Sequence, residues 1–325
     1  MSVLVYIQNF GGTLKKQNFE LAGYATKIAE AQNTDVTGIV LGEIEDDELR
    51  KLAGYGVSKM LKAGDASFNT RINEVYTQIV RQAVEETGAG VVVFPDNNEG
   101  RAIAPRLSVR LKAGFVPGVT ALPSSYDPFI VTKGVFTGKA FADVKVNTPV
   151  KIVSLVNNTF GLYEKETALS VEEFTPRVDT SSVTTKVTGR KRTEEGLSLF
   201  DAGIVVSGGR GMKTPDNWGP LEELAGVLGA ALACTRPVSD EGWRPHEEHV
   251  GQTGKVIAPN LYIAVGISGA IQHMAGVSGA KCVLAINNDE DAPIFQVADY
   301  GILDDAHKVL PKLTEAFREF KKEGS

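Results

Sequence analysis

Residues 261–289 read LYIAVGISGAIQHMAGVSGAKCVLAINND. The apolar run LYIAV ends at the glycines of GISGA, IQHMAGV fits a short helix, and AKCVLAINN returns to strand-like composition. Strand, turn, helix and strand in this order form a βαβ unit, in which the two strands lie parallel. The stretch therefore predicts an α/β fold built on a parallel sheet.

The same alternation surrounds this unit in the last third of the chain. DAGIVVSGG is a strand that runs into glycines, and NWGPLEELAGVLGA is a helix. Further on, ADYGIL predicts a strand and AHKVLPKLTEAFREFKKE predicts a final amphipathic helix. These elements predict a doubly wound α/β domain.

A second set of alternating elements occupies the first part of the chain. SVLVYIQ and GVVVFP are strand-length apolar runs, the latter as expected for a strand buried on both faces, and QNFELAGYATKIAEA is amphipathic. From about residue 114, four β-rich segments follow without helices. They either complete the parallel sheet or form an antiparallel addition to it. The fold class predicted for the whole chain is two doubly wound, Rossmann-like parallel-sheet domains.

The domain boundary is predicted within the polar stretch of residues 164–198. Placing it near residue 190 gives an N-terminal α/β domain, residues 1–190, and a C-terminal α/β domain, residues 191–325. Two domains also fit the length of 325 residues, at roughly 100–200 residues per domain.

Composition excludes several classes of protein. With 34 Lys and Arg against 40 Asp and Glu, the net charge of -6 argues against a nucleic-acid binder or a binder of anionic membranes. We see no targeting peptide and no apolar run of the ~20 residues that a membrane span needs, so we expect a cytoplasmic protein, with an organelle matrix as the alternative. Cys234 and Cys282 lack metal-site or C-x-x-C spacing and are predicted to be packing residues.

Glycine-rich turns after predicted strands are the first candidate binding sites. In SGGRG, residues 207–211, glycines allow a ligand to approach the backbone, and Arg210 adds a positive charge. The alternative is an ordinary connection with a surface arginine. In GISGAIQH, residues 266–273, Ser268 is the predicted N-cap of a helix whose free N–H groups favour a pyrophosphate. The alternative there is an ordinary capped helix with a hydrogen-bonded His273.

Polar residues follow the other predicted strands of the C-terminal domain. Gln252 and Thr253 lie in a glycine-flanked turn that could hold the edge of a heterocycle, or be a plain surface turn. Arg236 follows a short strand, and Asn287 ends the strand CVLAIN. Because parallel sheets bind ligands at the carboxyl ends of their strands, these residues are candidates. Asp304 and Asp305 follow ADYGIL and could meet a ribose or an adenine, cap a helix, or do both. His246 and His249, beside Glu247 and Glu248, are expected in a solvated loop.

Residues 261–289, together with SGGRG and VGQTGK upstream and APIFQVADYGI downstream, closely resemble the signature of the electron transfer flavoprotein alpha subunit. The resemblance covers essentially the whole chain and includes GRAIAPRLSVRL in the first domain. It implies one FAD held by the second domain, and a beta subunit that contacts the first. It also implies an electron carrier without a substrate-converting site. Flavin dehydrogenases such as acyl-CoA dehydrogenases of fatty acid oxidation would supply electrons, and a quinone oxidoreductase or another acceptor would receive them.

The resemblance also implies roles for individual residues. Arg210 contacts the cofactor, Thr235 stands where many members have Ser, and Arg236 lies near the isoalloxazine ring. The loop along the flavin ring consists of Val250, Gly251, Gln252 and Thr253. The pyrophosphate and the pyrimidine edge of the flavin are held by Ser268, Gly269, Ala270, Ile271, Gln272 and His273. Asn287 reaches the phosphates or ribose, and the adenosine end is bound by Asp305 and Ala306. Residues 237–249 depart from the family pattern and receive no role.

These roles suggest how the protein would act on the flavin. A guanidinium and a histidine at a helix N-terminus stabilise the negative charge that a flavin gains on reduction, which raises its reduction potential. One alternative is an NAD-dependent oxidoreductase on a related fold, but the chain lacks G-x-G-x-x-G followed by a ribose-binding acid. Another is a nucleotide-binding module without redox chemistry.

Overall fold

The computed structural model describes residues 2–136, 138, 140–181, 183–189 and 198–323. Contacts divide the chain into two compact units, Met1–Arg192 and Thr193–Ser325, and each has its own sheet. The predicted boundary between residues 190 and 191 lies outside the described residues.

The sheet of the first unit is mainly parallel. In chain order its strands are β1 (Ser2–Ile7), β2 (Val36–Leu41), β3 (Lys59–Ala63), β4 (Ala89–Pro95), β5 (Gly114–Val119), β6 (Ser125–Tyr126), β7 (Phe129–Val135), β8 (Ala140–Val146), β9 (Lys151–Leu155) and β10 (Ser170–Glu173). Parallel pairing gives the order β10-β3-β2-β1-β4-β9-β5. β7 extends the sheet antiparallel to β5, and it pairs antiparallel with β6 and β8. The β-rich segments after residue 114 therefore do both things that the sequence allows. β5 and β9 complete the parallel sheet, and β6, β7 and β8 form an antiparallel addition to it.

Helices cover both faces of this sheet. They are α1 (Lys16–Ala31), α2 (Asp46–Arg50), α3 (Asn73–Thr87) and α4 (Asn98–Leu111). Alternate residues of β1 point to opposite faces: Val5 joins the core on the α1 side, and Leu4 joins the core formed with α3 and α4. Every residue of β4 is buried, as the all-apolar run predicts.

One strand was not expected from the sequence. β10 has the polar sequence SVEE and lies in the stretch that we interpreted as a domain boundary. It pairs in parallel with β3 at the edge of the sheet, and Lys59 forms an ion pair with Glu172 at 2.6 Å. Backbone pairing and charge complementarity account for this strand, together with the packing of Val171 against the core on the α1 side.

The second unit has a five-stranded, fully parallel sheet in the order β12-β11-β13-β14-β15 within the part of the chain that is described. Its strands are β11 (Ile204–Gly208), β12 (Ala231–Cys234), β13 (Leu261–Val265), β14 (Val283–Asn287) and β15 (Tyr300–Leu303). Its helices are α5 (Gly219–Leu228), α6 (Arg236–Asp240), α7 (Ile271–Val277) and α8 (Ala306–Glu323). Apolar cores lie on both faces of this sheet as well. The predicted fold class is confirmed.

A buried carboxylate holds the loop that follows β9. Glu20 on α1 is 3% exposed, and its carboxylate accepts hydrogen bonds from the backbone N–H groups of Asn158, Phe160 and Gly161 at 2.7–2.9 Å. Because three donors share one carboxylate, its removal leaves several polar groups without a partner.

We predict that Glu20→Ala lowers the free energy of unfolding of the first unit by about 2–4 kcal/mol, because charge-assisted hydrogen bonds are lost. Native-state hydrogen exchange checks this, since the amides of residues 158–161 should lose protection. Glu45→Ala, at an exposed position, is the matched control and should change stability by less than about 0.5 kcal/mol. Unchanged protection of residues 158–161 in Glu20→Ala would contradict the assignment.

Candidate functional site

The candidate residues of the second unit lie along one edge of its sheet. All five strands are parallel, so their carboxyl ends share this edge. Arg210 follows β11, Thr235 and Arg236 follow β12, Ser268 to His273 follow β13, Asn287 ends β14, and Asp305 and Ala306 follow β15. β12 and β15 are the two outer strands. Four strand spacings separate them, roughly 19 Å, which suits an elongated ligand.

Two glycine turns are pressed together at the centre of this edge. The Gly209 N–H donates to the Val265 carbonyl at 2.9 Å, and the Gly211 N–H donates to the Gly266 carbonyl at 3.0 Å. A Cβ on Gly211 would lie 2.6 Å from the Gly266 Cα, and a Cβ on Gly209 would collide with the Gly266 carbonyl. Gly266 itself has φ +60°, in the left-handed region. Glycine is therefore needed in both turns for their backbones to meet.

The loop from β13 to α7 presents a row of backbone N–H groups. Within the described residues, the N–H groups of residues 268–272 have no hydrogen-bond acceptor. The N-cap of α7 is Ala270 and no side chain caps the helix, so the prediction that Ser268 is the N-cap is wrong. Successive free N–H groups at a helix start form a site for a phosphate or pyrophosphate.

Contacts with two neighbouring segments fix the loop from β13 to α7. Gly269 has φ +92°, and a Cβ there would lie 2.7 Å from the Ile294 Cα. The buried Asn287 donates from Nδ2 to the Ile267 carbonyl at 2.9 Å and accepts from the Asp289 N–H at Oδ1, at 3.0 Å. The Asn287 side chain therefore positions the loop through its own hydrogen bonds.

His273 is a buried and neutral positioning residue. Its Nδ1 lies 3.0 Å from the Val250 carbonyl, which can only accept, and its Nε2 lies 2.8 Å from the Tyr262 hydroxyl. Nδ1 therefore carries the proton, and the hydroxyl donates to Nε2. Burial lowers the pKa of His273 to about 4, so the ring is uncharged at neutral pH. The alternative of a hydrogen-bonded histidine therefore holds, and a role of His273 toward the reduced flavin stays a prediction.

The turn at residues 250–253 packs directly on α7. The Gln252 N–H donates to the Gln272 carbonyl at 2.7 Å, and a Cβ on Gly276 would lie 2.5 Å from the Gly251 Cα. Val250 is buried and its N–H donates to the Cys234 carbonyl at 3.0 Å. The side chains of Gln252 and Thr253 are exposed, so they remain available to a ligand.

Two exposed arginines supply the positive charge at this edge. Arg236 pairs with Asp240 on its own helix, with 3.2 Å between Nε and Oδ2. Arg210 is exposed and has no ion pair within the described part of the chain. Thr235, beside Arg236, is buried at the end of β12.

Asp305 caps helix α8. Its Oδ1 accepts from the His307 N–H at 2.9 Å, and its Oδ2 lies 3.5 Å from Lys213 Nζ. The hydrogen bond from His307, followed by the charge of Lys213, lowers the pKa of this carboxyl. Ala306 is buried as the first residue of the helix. Asp305 therefore caps a helix, which is one of the roles that the sequence predicts for it.

The sequence assigns no role to residues 237–249. In the structure, this segment connects the site with α5. Arg244 makes two hydrogen bonds to Glu248, both at 2.8 Å, and one to Glu222 on α5 at 2.7 Å. Its guanidinium lies 5.7 Å from the centre of the Trp218 ring. The four-residue spacing of Arg244 and Glu248 is a sequence pattern that could have predicted their ion pair.

His249 is buried, although the sequence predicts a solvated loop there. It is 3% exposed rather than solvated, and a Cβ on Gly254 would lie 2.7 Å from its Nδ1. Burial first, and then the charges of His246 and Arg236, lower the pKa of His249. His246 is exposed, as expected for a loop. The buried His249 ring therefore packs against the turn at residues 250–254.

Among the described residues, no group of three or more His, Cys, Asp or Glu side chains could hold a metal ion. No helix in the described ranges is both long and apolar enough to cross a membrane. Cys234 is buried and Cys282 half-buried, and both are free thiols.

We predict that the second unit loses stability as the pH falls from about 6.5 to 4. The unfolded chain binds a proton on His273 in that window and the folded chain does not, which costs roughly 3 kcal/mol over the whole window. The fluorescence of Trp218 and Trp243, both in this unit, reports its unfolding. His273→Gln should show a shallower pH dependence, with His246→Gln as the exposed control. Equal pH dependence in all three proteins would contradict the assignment.

Comparison with known proteins agrees with this geometry. A family model described as "Electron transfer flavoprotein domain" matches residues 3–179. A second model, "Electron transfer flavoprotein FAD-binding domain", matches residues 198–278. These ranges correspond to the first unit and to the part of the second unit that contains the glycine turns.

Full-length relatives show the same relationship. The chain is 36% identical over 311 residues to the electron transfer flavoprotein subunit alpha of Bacillus subtilis, covering 95% of this chain and 94% of that protein. It is 34% identical over 328 residues to the corresponding subunit of Megasphaera elsdenii, covering 98% and 97%. The chain therefore belongs to the electron transfer flavoprotein alpha subunit family, and its second unit contains the FAD-binding domain of that family.

Proposed function

We propose that this chain holds the FAD of a two-subunit electron carrier. Together with a beta subunit that contacts the first unit, it takes electrons from flavin dehydrogenases, such as acyl-CoA dehydrogenases, and passes them to a quinone oxidoreductase or another acceptor. The observation that carries the proposal is the row of unpartnered N–H groups at residues 268–272, held open by interlocked glycines in the domain matched as FAD-binding.

The residues present fit an FAD molecule. The free N–H groups of residues 268–272 suit the pyrophosphate, because they present several donors to one anionic group. Exposed Gln252 and Thr253 offer side-chain hydrogen bonds to the flavin ring. Asp305, at the far edge of the sheet, keeps acceptor capacity for the adenosine end.

The bound FAD supplies one- and two-electron transfer. The chain contributes position and charge. Arg210 and Arg236 place positive charge beside the ligand and favour the form that carries more negative charge. Neutral His273 fixes the turn at residues 250–253 against α7, and Thr253 offers a hydroxyl to the flavin N5. None of these roles requires the chain to transform a substrate.

Purification with the beta subunit tests the proposal. We expect one FAD bound through this chain, and we expect an acyl-CoA dehydrogenase supplied with its substrate to reduce it. If the complex stayed colourless after reconstitution with FAD, the proposal would fail. Hydride exchange between NADH and a small substrate, without reduction by any flavin dehydrogenase, would instead support the NAD-dependent alternative.

We predict that Gly276→Ala weakens FAD binding by about tenfold or more. A Cβ there would lie 2.5 Å from both the Cα and the N of Gly251, so the turn at residues 250–253 must move away from α7. Gly226→Ala is the matched control, since Gly226 lies on α5 with nothing within 4 Å of its Cβ position. Flavin fluorescence during titration of the apoprotein measures both affinities. Equal affinities in the two variants would contradict the packing argument.

We predict that Arg236→Ala and Asp240→Asn shift the flavin reduction potential in opposite directions. Removing the Arg236 guanidinium takes away positive charge and should lower the potential, whereas Asp240→Asn removes the opposing carboxylate and should raise it. Each shift should change the redox equilibrium roughly three- to tenfold and should shrink at high salt. Titration against reference dyes measures the potentials. Two unchanged potentials would remove this pair from the mechanism.

A further inference from the structure

The first unit contains a cavity that is not part of the FAD-binding domain. Its volume is about 340 Å³, and it lies at the carboxyl ends of β1, β2 and β3. The residues that line it are Asn9, Gly11, Gly12, Leu41, Glu43, Phe68, Asn69 and Tyr76. They come from the three loops after these strands and from α3.

Two asparagines hold the walls of this cavity in place. Asn9 donates from Nδ2 to the carbonyls of Leu41 and Glu43 at 3.1 and 3.0 Å, and its Oδ1 accepts from the Gly12 N–H at 2.7 Å. Asn69 accepts from the Glu43 N–H at 2.8 Å and donates to the Glu43 carboxylate at 2.5 Å. The loops after β1, β2 and β3 are therefore tied to one another, and the cavity is preformed.

The topology places this cavity at the carboxyl edge of the sheet, next to the point where the strand order reverses. β1 pairs with β2 on one side and β4 on the other, so the strand order reverses beside it. In such folds a glycine-containing turn follows the first strand, and an acid after the second strand binds ribose hydroxyls. Gly11 and Gly12 occupy the first position, with φ of +73° and +90°, and Glu43 occupies the second.

The chemistry of the lining selects the kind of ligand. Glu43 is the one acidic or basic residue among those that line the cavity, and its carboxyl oxygens can accept more hydrogen bonds than the one from Asn69. Phe68 and Tyr76 give the cavity aromatic surface. We propose that this cavity binds an uncharged nucleoside, whose ribose hydroxyls donate to Glu43 and whose base packs against Phe68.

A carboxylate at the adjacent crevice disfavours a phosphorylated ligand. Between β1 and β4, the buried Glu99 accepts hydrogen bonds from Tyr6, from Gln8 Nε2 at 3.0 Å and from Arg71 Nη1 at 2.9 Å. Polar side chains of the protein itself thus occupy the crevice beside the cavity, and Arg71 is already paired. A phosphate there would face the Glu99 carboxylate. At about 340 Å³, the cavity also lies near the lower end of the size range of ligand pockets, roughly 300–1,000 Å³.

Calorimetric titration of the FAD-saturated protein, complete with its beta subunit, tests this proposal. The probes are adenosine and AMP. We expect adenosine to bind in the micromolar to millimolar range and AMP to bind several-fold more weakly. Glu43→Gln, which keeps the shape of the side chain, and Phe68→Ala should each weaken adenosine binding about tenfold. Thermal unfolding of each variant verifies its fold.

Two controls place any binding in the cavity. Glu45→Gln changes a nearby exposed carboxylate that does not line the cavity, and Phe136→Ala changes a ring that is 81% exposed elsewhere in the unit. Both should bind adenosine as the wild type does. The proposal is overturned if adenosine does not bind at millimolar concentration, or if Glu43→Gln and Phe68→Ala bind it normally. AMP binding that is tighter than adenosine binding and is weakened in Glu43→Gln or Phe68→Ala would overturn the claim that the ligand is uncharged. FAD content would be unaffected in either case, which separates this proposal from the proposed function.

Discussion

The close approach of two backbones, at Gly211 and Gly266, is the constraint on which the candidate FAD-binding edge depends. A single added Cβ at Gly211 would lie 2.6 Å from the Gly266 Cα, so only glycine allows the turns after β11 and β13 to touch. This contact holds the start of the β13–α7 loop in place. The N–H groups of residues 268–272 then stay without an acceptor in the described chain. Most of these residues are exposed, so water can satisfy their N–H groups, and a bound anion that replaces this water stabilises the folded protein.

The candidate site separates residues that build it from residues that are left exposed for the proposed ligand. His273 and Asn287 are buried, and their polar atoms are used within the protein, to fix the turn at residues 250–253 and the β13–α7 loop. Arg210 and Arg236 are exposed at the edge and provide charge. The charges proposed to set the flavin reduction potential therefore belong to exposed residues. Around the β13–α7 loop the geometry is maintained by the neutral groups His273 and Asn287, so this loop does not change its charge near neutral pH.

Much of the fold could be predicted from the sequence, because apolar runs bounded by glycine identify buried parallel strands wherever they occur. β10 was not predicted, because its sequence SVEE has no apolar pattern and the strand depends on backbone pairing with β3. The edge that gathers the site residues was predictable from parallel topology and from the family resemblance. The N-cap of α7 and the burial of His249 were not, and for His273 the sequence offered a hydrogen-bonded histidine only as an alternative. Whether a polar side chain faces a ligand or the protein depends on contacts between segments far apart in sequence, and those contacts leave no local pattern.

Hydrogen exchange at the amides of residues 268–272, followed with and without FAD, tests the central claim most directly. If these N–H groups hold the pyrophosphate, FAD should slow their exchange strongly, and more than that of the amides of the neighbouring exposed residues Ser278 and Gly279. Protection by FAD that appears elsewhere in the second unit, while residues 268–272 exchange at an unchanged rate, would show that the cofactor is held in another way.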